Sequence, residues 1–91
     1  MKVIVTQEHI TEGMKTLGSL TKCVMGRALK EALDSNQVEY ESFSAGVSTC
    51  RVKLKDDLLK LTYPLLAGNI AYRFHATGND PEPFEFDLEG I

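Results

Sequence analysis

The sequence has no tryptophan, only two cysteines and three prolines, and no long apolar run among its 91 residues. Its apolar stretches are a few residues long, far below the ~18 residues that a membrane-spanning helix needs. The opening residues Met1–Val5 lack the extended apolar core of a signal peptide. We therefore expect a cytoplasmic protein with no membrane association.

The two cysteines, Cys23 and Cys50, are too few for a disulfide-stapled fold. The cytosol keeps thiols reduced, so both are expected to be free. A chain of 91 residues, 43% hydrophobic and 25% charged, is predicted to form a single domain over residues 1–91. Its small interior leaves little room for a deep pocket, and no cofactor is predicted.

The net charge is −3, and basic residues are not in excess. General nucleic-acid binding is not expected, because that class of protein needs clustered Lys and Arg to displace counterions from phosphates. The charge is unevenly distributed along the chain. Residues 1–73 carry ten Lys and Arg against eight Asp and Glu, whereas residues 74–91 carry five acids and no Lys or Arg. The chain has a mildly basic body and an acidic end.

Hydrophobic periodicity predicts a strand and a long helix in the first part of the chain. Met1–Val5 is rich in β-branched residues and is predicted to be a strand, with Thr6 capping a helical turn after it. Residues Leu20–Leu33 place apolar side chains along one helical stripe, with Ser19 as the N-cap. Gly26 lies inside this helix at a cost of about 1 kcal/mol relative to alanine, so close packing of a strand or partner is expected there.

Alternating patterns predict strands in the middle of the chain. One strand is predicted over Val38–Phe43 and another over residues 50–55, joined through a turn at Ser44–Gly46. Acidic side chains on the first strand would face Arg and Lys on the second. Residues 58–62 fit either a third strand or a helical turn, and the period alone does not decide between them.

A second helix is predicted from Pro64, which suits a first helical position because its missing N–H is not needed there. Leu66, Ile70 and Phe74 follow at four-residue intervals and form the predicted apolar stripe, with Ala67 and Ala71 beside them. Gly78 is predicted to end the helix in the left-handed conformation.

Residues 84–89 show the clearest alternation in the chain, with aromatic or aliphatic residues separated by acids. This pattern predicts a strand with one apolar face and one acidic face. Together, the elements predict an α+β fold: a single small domain with two helices packed on a mostly antiparallel sheet of four to five strands.

The candidate catalytic or metal-binding side chains are few. His9, Cys23, Cys50 and His75 lack the close spacing typical of zinc ligands, so no metal site is predicted. Cys23 could pair with either histidine as a nucleophile, and Arg27, one helical turn further on, would favour its thiolate. The sequence offers no third orienting residue and no evident oxyanion donor. No catalytic residue is therefore predicted, and a small thiol- or histidine-dependent enzyme with a site at a dimer interface is kept as an alternative.

One candidate binding site lies before the long helix. Polar and basic side chains gather there, and helix N-termini bind anions without a special motif. A weak phosphate or nucleotide contact is one interpretation, and a solvated loop with an ordinary cap is the other. The predicted ligand-binding residues are Lys15, Thr16, Ser19, Thr21, Lys22 and Arg27.

A second candidate site is the acidic end of the chain. Its carboxylates form a row that could meet the basic surface of a partner protein. The alternative interpretation is that an edge strand carries charge to prevent aggregation. The predicted partner-binding residues are Asp80, Glu82, Glu85 and Asp87.

Short motifs at both ends resemble a group of small uncharacterised proteins encoded by bacteriophages and bacterial genomes. The motifs are Glu8-His9-Ile10, the helix headed by Cys23, and the segment Pro83–Leu88. The chain departs from the group at His75, where an acid is common, and in having Cys23 without a second nearby cysteine. The resemblance implies a phage or mobile-element accessory gene and carries no activity with it.

The sequence thus favours a non-enzymatic accessory protein that binds stoichiometrically to a host protein or to a small anionic, nucleotide-like ligand. A structural or morphogenetic phage component is a further alternative. A homodimer is expected, because a small domain with an exposed strand can complete its sheet with a second copy.

Overall fold

Three helices and five strands are distributed along the chain, and the computed structural model describes every residue from Met1 to Ile91. A single 3-10 turn, Met14–Thr16, follows the first helix. No helix combines the length and apolar character needed to span a bilayer. In chain order the elements are β1 (Lys2–Val5), α1 (Gln7–Gly13), α2 (Val24–Ser35), β2 (Ser42–Ala45), β3 (Thr49–Lys53), β4 (Leu58–Thr62), α3 (Leu65–Thr77) and β5 (Phe84–Asp87).

The first and last strands form a two-stranded antiparallel sheet that joins the two ends of the chain. The terminal amine of Met1 donates to the Leu88 carbonyl at 2.9 Å, and the Leu88 N–H donates to the Met1 carbonyl at 2.7 Å. Val3 lies opposite Phe86, and both are buried, whereas Glu85 is exposed. The strands predicted at the two ends are confirmed.

The other three strands form an antiparallel sheet in the order β2-β3-β4. Residues 58–62 are therefore a strand, because their main chain completes the ladder with β3. Glu41 lies just before β2, with its carboxylate 4.0 Å from the Lys53 amine. The expected pairing of acidic and basic side chains across the first two strands is found at this position.

Helix α2 lies at the centre of the hydrophobic core and packs on α1, β1 and β2. Its inner face buries Met25, Leu29 and Leu33, in agreement with the predicted stripe. The solvent-facing side of α2 carries Lys30 and Asp34, whose side chains form an i,i+4 ion pair at 2.8 Å.

Helix α2 begins at Val24, so the predicted start at Leu20 with Ser19 as N-cap is wrong. Cys23 occupies the cap position with an extended backbone, and its Sγ accepts the Gly26 N–H at 3.4 Å. Leu20 is exposed, so no buried contact supports a further helical turn.

Gly26 is in close contact with the main chain of Thr21. A Cβ atom at position 26 would lie 2.6 Å from both the carbonyl carbon and the carbonyl oxygen of Thr21. The expected close packing at Gly26 is confirmed, but the neighbour is the preceding turn of the same chain rather than a strand or a partner.

The strand predicted over Val38–Phe43 is shifted, because β2 begins at Ser42. The predicted turn at Ser44–Gly46 is partly wrong for the same reason. Ala45 belongs to the ladder opposite β3, and its N–H donates to the Leu20 carbonyl at 2.7 Å on the other side. These hydrogen bonds hold the end of β2 extended where the sequence pattern indicates a turn.

Helix α3 ends as predicted at Gly78, which has a left-handed φ of 71°. Pro64 is its N-cap rather than its first helical residue. Leu66 belongs to the predicted apolar stripe, but its side chain is 73% exposed. The buried face of the helix is turned by one residue and consists of Ala67, Ala71 and Phe74.

The α+β class and the antiparallel strand pairing are confirmed. The five strands form two separate sheets instead of one, and α1 is a third helix of seven residues. Two sheets result because β5 returns to pair with β1, while β2, β3 and β4 pair only with their neighbours in sequence.

Candidate functional site

His9 is buried and uses both ring nitrogens within the fold. Its Nδ1 accepts the Thr6 N–H at 3.0 Å, and the Thr6 hydroxyl accepts the His9 N–H at 3.2 Å, so the pair forms a capping box. The His9 Nε2 contacts the Glu31 carboxylate. Because Nδ1 acts as an acceptor, the proton of the neutral ring lies on Nε2 and is donated to Glu31. Through these two contacts the His9 ring caps α1 and attaches it to α2.

The two cysteines are free and buried. The Cys23 sulfur is occupied as the cap of α2 and lies 4.0 Å from the Ala45 carbonyl oxygen. Burial raises the pKa of the Cys50 thiol to about 11, and the adjacent Tyr63 hydroxyl acts weakly in the opposite direction. No group of three or more His, Cys, Asp or Glu side chains is arranged to hold a metal ion.

Most of the residues predicted to bind an anion are hydrogen-bonded to one another around the turn before α2, and Arg27 lies in the first turn of that helix. The Lys22 carbonyl accepts the Thr16 hydroxyl at 2.5 Å and the Arg27 Nε–H at 2.6 Å. The Ser19 hydroxyl accepts the N–H groups of Lys22 at 3.0 Å and Thr21 at 3.3 Å. These polar groups stabilise the turn that leads into α2, and the main chain of that turn covers the helix at Gly26.

Lys15 lies outside this network, with its amine 3.5 Å from the Glu12 carboxylate. Lys22 and Arg27 line a surface depression of about 550 Å³ together with side chains of both charges. Lys30 is the third base there, and the acids that accompany the three bases are Glu8, Glu12, Glu31 and Asp34. The depression is therefore of mixed charge and not distinctly positive.

The acidic residues predicted to bind a partner fall into two adjoining places. Glu85 and Asp87 project from β5 and are exposed, and the Glu85 carboxylate lies 3.6 Å from the Lys2 amine of the neighbouring strand. Asp80 and Glu82 lie in the connection between α3 and β5, where they line a hollow of about 540 Å³.

Beside β5 lies a groove of about 560 Å³, here called the α3–β5 groove. Helix α3 forms one wall, and β5 forms the other. Three carboxylates stand along its β5 side: Glu85, Asp87 and Glu89. Its apolar lining is formed by Leu66, Ala67, Ile70, Phe84 and Phe86, with Tyr63 and Pro64 at the start of α3.

The α3–β5 groove follows the edge of β5 rather than one of its faces. Successive residues of a strand point to opposite faces, and residues of both faces, Phe84–Asp87, line the groove. The opposite edge of β5 is occupied by β1, which contributes nothing to the lining. The groove therefore borders the edge of β5 that has no neighbouring strand.

The main chain along that edge is unpaired. Met1 and Leu88 exchange both of their N–H···O bonds, and hydrogen-bonded pairs alternate along an antiparallel ladder. Phe84 and Phe86 therefore form hydrogen-bonded pairs with Val5 and Val3 of β1. The N–H and C=O groups of Glu85 and Asp87 point away from β1. No main-chain hydrogen bond outside the ladder reaches these two residues.

The sequence analysis identified the carboxylates of this site but missed its apolar part. It placed Leu66 on an apolar stripe because a four-residue interval is typical of one face of a helix. The sequence held no signal that Leu66 is exposed, since adjacent apolar residues such as Ala28 and Leu29 are buried together on α2. The sequence could not predict that one edge of β5 is unpaired, because strand order depends on the whole fold.

Comparison of the chain with protein-family models, with curated proteins and with solved structures finds no significant match.

Proposed function

We propose that this protein is a non-enzymatic binding module that holds a partner protein stoichiometrically in the α3–β5 groove. The observation that carries the proposal is the combination of an apolar lining, in which Leu66 is exposed and Ile70 and Phe84 are half-buried, with a row of three carboxylates. Leu66 in particular is 73% exposed in the groove wall, whereas Leu29 and Leu33 of α2 are buried.

Apolar side chains and carboxylates contribute differently to such a site. Burial of apolar area is the main favourable contribution at a protein interface, and a few well-packed apolar anchors supply most of the affinity that remains after the cost of association. Charges at the rim mainly steer the encounter and select partners of opposite charge. The partner expected for this groove presents apolar side chains flanked by Lys or Arg.

A protein partner fits the charges better than a small anionic ligand. The groove carries carboxylates, which repel anions. The loop of residues 15–27 contains the basic and hydroxyl side chains, but it uses the Thr16, Ser19 and Arg27 groups within its own turn. Of the two ligands expected from the sequence, a host protein and a small anion, the structure therefore gives less support to the anion.

The enzymatic alternative relies on Cys23 and His9. Both side chains are buried and contribute to helix caps, so we assign them structural roles. Purified Cys23→Ser and His9→Ala variants discriminate between the two classes. A binding module keeps its partner if the variant folds, whereas an enzyme loses its activity without losing its fold.

The setting proposed for this binding is the cytoplasm, as the sequence analysis expects, of a cell that carries a phage or mobile-element accessory gene, as the resemblance implies. The homodimer expected from the sequence is kept as part of the proposal, but through a helix face instead of through completion of a sheet. Leu65 and Tyr72 are both largely exposed and lie two turns apart on the outer face of α3, away from the groove. That face is a suitable surface for a second copy. A morphogenetic component would instead assemble beyond a dimer.

Affinity capture from a bacterial lysate tests the proposal. The immobilised wild-type protein is compared with a groove variant, Glu85→Lys with Asp87→Lys. A matched control, Glu39→Lys with Asp56→Lys, makes the same change in net charge at exposed positions outside the groove. We expect a protein to be retained by the wild type and the control, lost from the groove variant, and released by salt. Equal capture by all three proteins would contradict the proposal.

A further inference from the structure

We infer that the α3–β5 groove binds an extended peptide segment that adds to the open edge of β5 as a third strand, with basic and apolar residues alternating along it. The inference rests on the proposed function and specifies the partner and its binding mode. It follows from the unpaired main chain of Glu85 and Asp87, which borders the apolar groove.

The open edge has the hydrogen-bonding groups that strand addition needs. The N–H and C=O groups of Glu85 and Asp87 point away from β1, and no main-chain hydrogen bond occupies them. An extended peptide can pair with such an edge through its own main chain, while pockets beside the edge select alternate side chains. The groove is open along four consecutive residues, Phe84–Asp87.

The side chains around the edge define the pattern of the incoming strand. On one face, Phe84 and Phe86 continue into the apolar wall formed by Leu66 and Ile70 of α3. A partner residue on that face must be apolar to be buried there. On the other face stand carboxylates, so alternate partner residues are expected to be Lys or Arg.

The strand on the occupied edge of β5 already shows this complementarity. In β1, Lys2 lies on the acidic face of the sheet, with its amine 3.6 Å from the Glu85 carboxylate. Val3 lies on the buried face opposite Phe86. On the acidic face, β1 also carries Ile4, directly opposite Glu85, so β1 is a guide to one basic position and to the apolar face of the partner strand.

A second copy of this chain is a poor occupant of the open edge. If two β5 strands paired antiparallel about a twofold axis, their rows of Glu and Asp would lie directly across from one another. Like charges at cross-strand positions are destabilising. The acidic row therefore works against self-association at this edge and in favour of a basic strand.

Peptide binding to variants of Asp87 tests this inference. The probes are a fluorescent peptide of alternating lysine and valine and a block peptide of the same composition with its lysines and valines segregated. Asp87→Pro removes the outward N–H, which the β1–β5 ladder does not use, and proline is tolerated at such edge positions. Asp87→Ala is the matched control, because it removes the same charge and keeps the N–H.

We expect the alternating peptide to bind the wild type at least about tenfold more tightly than the block peptide, since only an alternating strand presents one basic and one apolar face. Asp87→Ala should weaken binding modestly, and Asp87→Pro should abolish it. Thermal unfolding checks that both variants fold. If Asp87→Pro does not fold, Glu85→Pro against Glu85→Ala makes the same test at the other open position.

Three results would overturn strand addition: equal binding of the two peptides, equal effects of Pro and Ala, or no binding of the alternating peptide by the wild type. The charge-reversed groove variant separates this failure from failure of the proposed function. If that variant loses the captured protein while Pro and Ala remain equivalent, the groove is the binding site and the mode is not strand addition. If charge reversal changes neither peptide binding nor capture, the proposed function itself is wrong.

Discussion

At the scale of single residues, the Tyr63 hydroxyl is a polar group that the fold leaves unsatisfied. Tyr63 is buried with its ring edge-on to Phe86, at a centroid distance of 5.5 Å. Its hydroxyl lies beside the Cys50 thiol, a weak acceptor, and makes no hydrogen bond of normal geometry. A buried hydroxyl without a partner destabilises a fold.

Tyr63→Phe is therefore expected to raise the free energy of unfolding by about 1 kcal/mol, or to leave it unchanged, because it removes an unsatisfied donor and keeps the ring. Chemical denaturation of the two proteins measures the difference. A loss of stability above ~1 kcal/mol would show that the hydroxyl has a partner in the folded protein.

The raised pKa of the buried Cys50 thiol predicts how the free energy of unfolding depends on pH. Burial raises its pKa from 9.0 to about 11. Because the folded-state pKa is the higher one, the folded state binds the thiol proton more tightly. The resulting stability is fully present below pH 9.0 and is lost as pH rises through about 11.

Between about pH 8.5 and pH 10.5, the wild type is expected to lose about 2 kcal/mol more than Cys50→Ala. The comparison uses only the pH-dependent change, so the small cavity left by alanine does not enter it. Burial, the largest cause, also raises the pKa of Tyr63 in both proteins, whereas the smaller contribution that Cys50 makes to this pKa is absent from Cys50→Ala. If the free energy of unfolding changed equally with pH in the two proteins, the raised pKa of the Cys50 thiol would be contradicted.

At the scale of elements, α1 depends on its cap. The seven residues Gln7–Gly13 are too few for a helix that is stable alone. Thr6 and His9 form the capping box, and His9 also contacts Glu31 on α2. This single side chain thus both starts the helix and attaches it.

His9→Ala is expected to destabilise the protein by about 1–3 kcal/mol. His9→Gln should lose less, since glutamine is a usual partner in a capping box and can accept the Thr6 N–H. Denaturation curves of both variants, with exposed Gln7→Ala as a control near the wild type, measure these effects. Equal losses for Ala and Gln would show that the ring's cap hydrogen bond contributes nothing.

Local patterns predicted the elements whose burial follows a simple period. Strands β1 and β5 alternate strictly, and the inner face of α2 carries every apolar residue of its stripe. The Thr6 cap was also predicted, although the role of His9 in completing the box was not. Histidine is an uncommon residue at that position, and its second contact, with Glu31, comes from a distant part of the chain.

The incorrect predictions concern features set by particular contacts that hydrophobic periodicity does not encode. The start of α2 is decided by the Cys23 cap and by the contact of Thr21 with Gly26. The extent of β2 is decided by its ladder with β3. The α3–β5 groove depends on β5 pairing with β1 and leaving its other edge open, which no local pattern encodes.

At the scale of the whole molecule, two surfaces differ in charge and in exposed apolar side chains: the open edge of β5 and the outer face of α3. The acidic open edge of β5 discourages pairing with another copy, whereas the outer face of α3 is nearly uncharged. Leu65 is 82% exposed there and Tyr72 is 65% exposed. We propose this face as the contact surface of a second copy, because Leu65 and Tyr72 lie on it together.

We therefore predict a homodimer through α3. Light scattering at about 100 μM should give twice the monomer mass of 10.1 kDa. Leu65→Lys with Tyr72→Lys should give the monomer mass, and Leu58→Lys, an exposed site on β4, should leave the dimer intact. A monomeric wild type at that concentration would contradict the prediction.

The most direct test of the central claim is amide NMR of the wild-type protein during titration with the alternating lysine–valine peptide. Resonances of β5 and of the groove wall around Leu66 and Ile70 should shift. The amides of Glu85 and Asp87 should become protected from hydrogen exchange, because only they gain a main-chain partner. Shifts confined to Lys15–Arg27, or exchange at Glu85 and Asp87 that stays unchanged while the peptide is bound, would contradict the account.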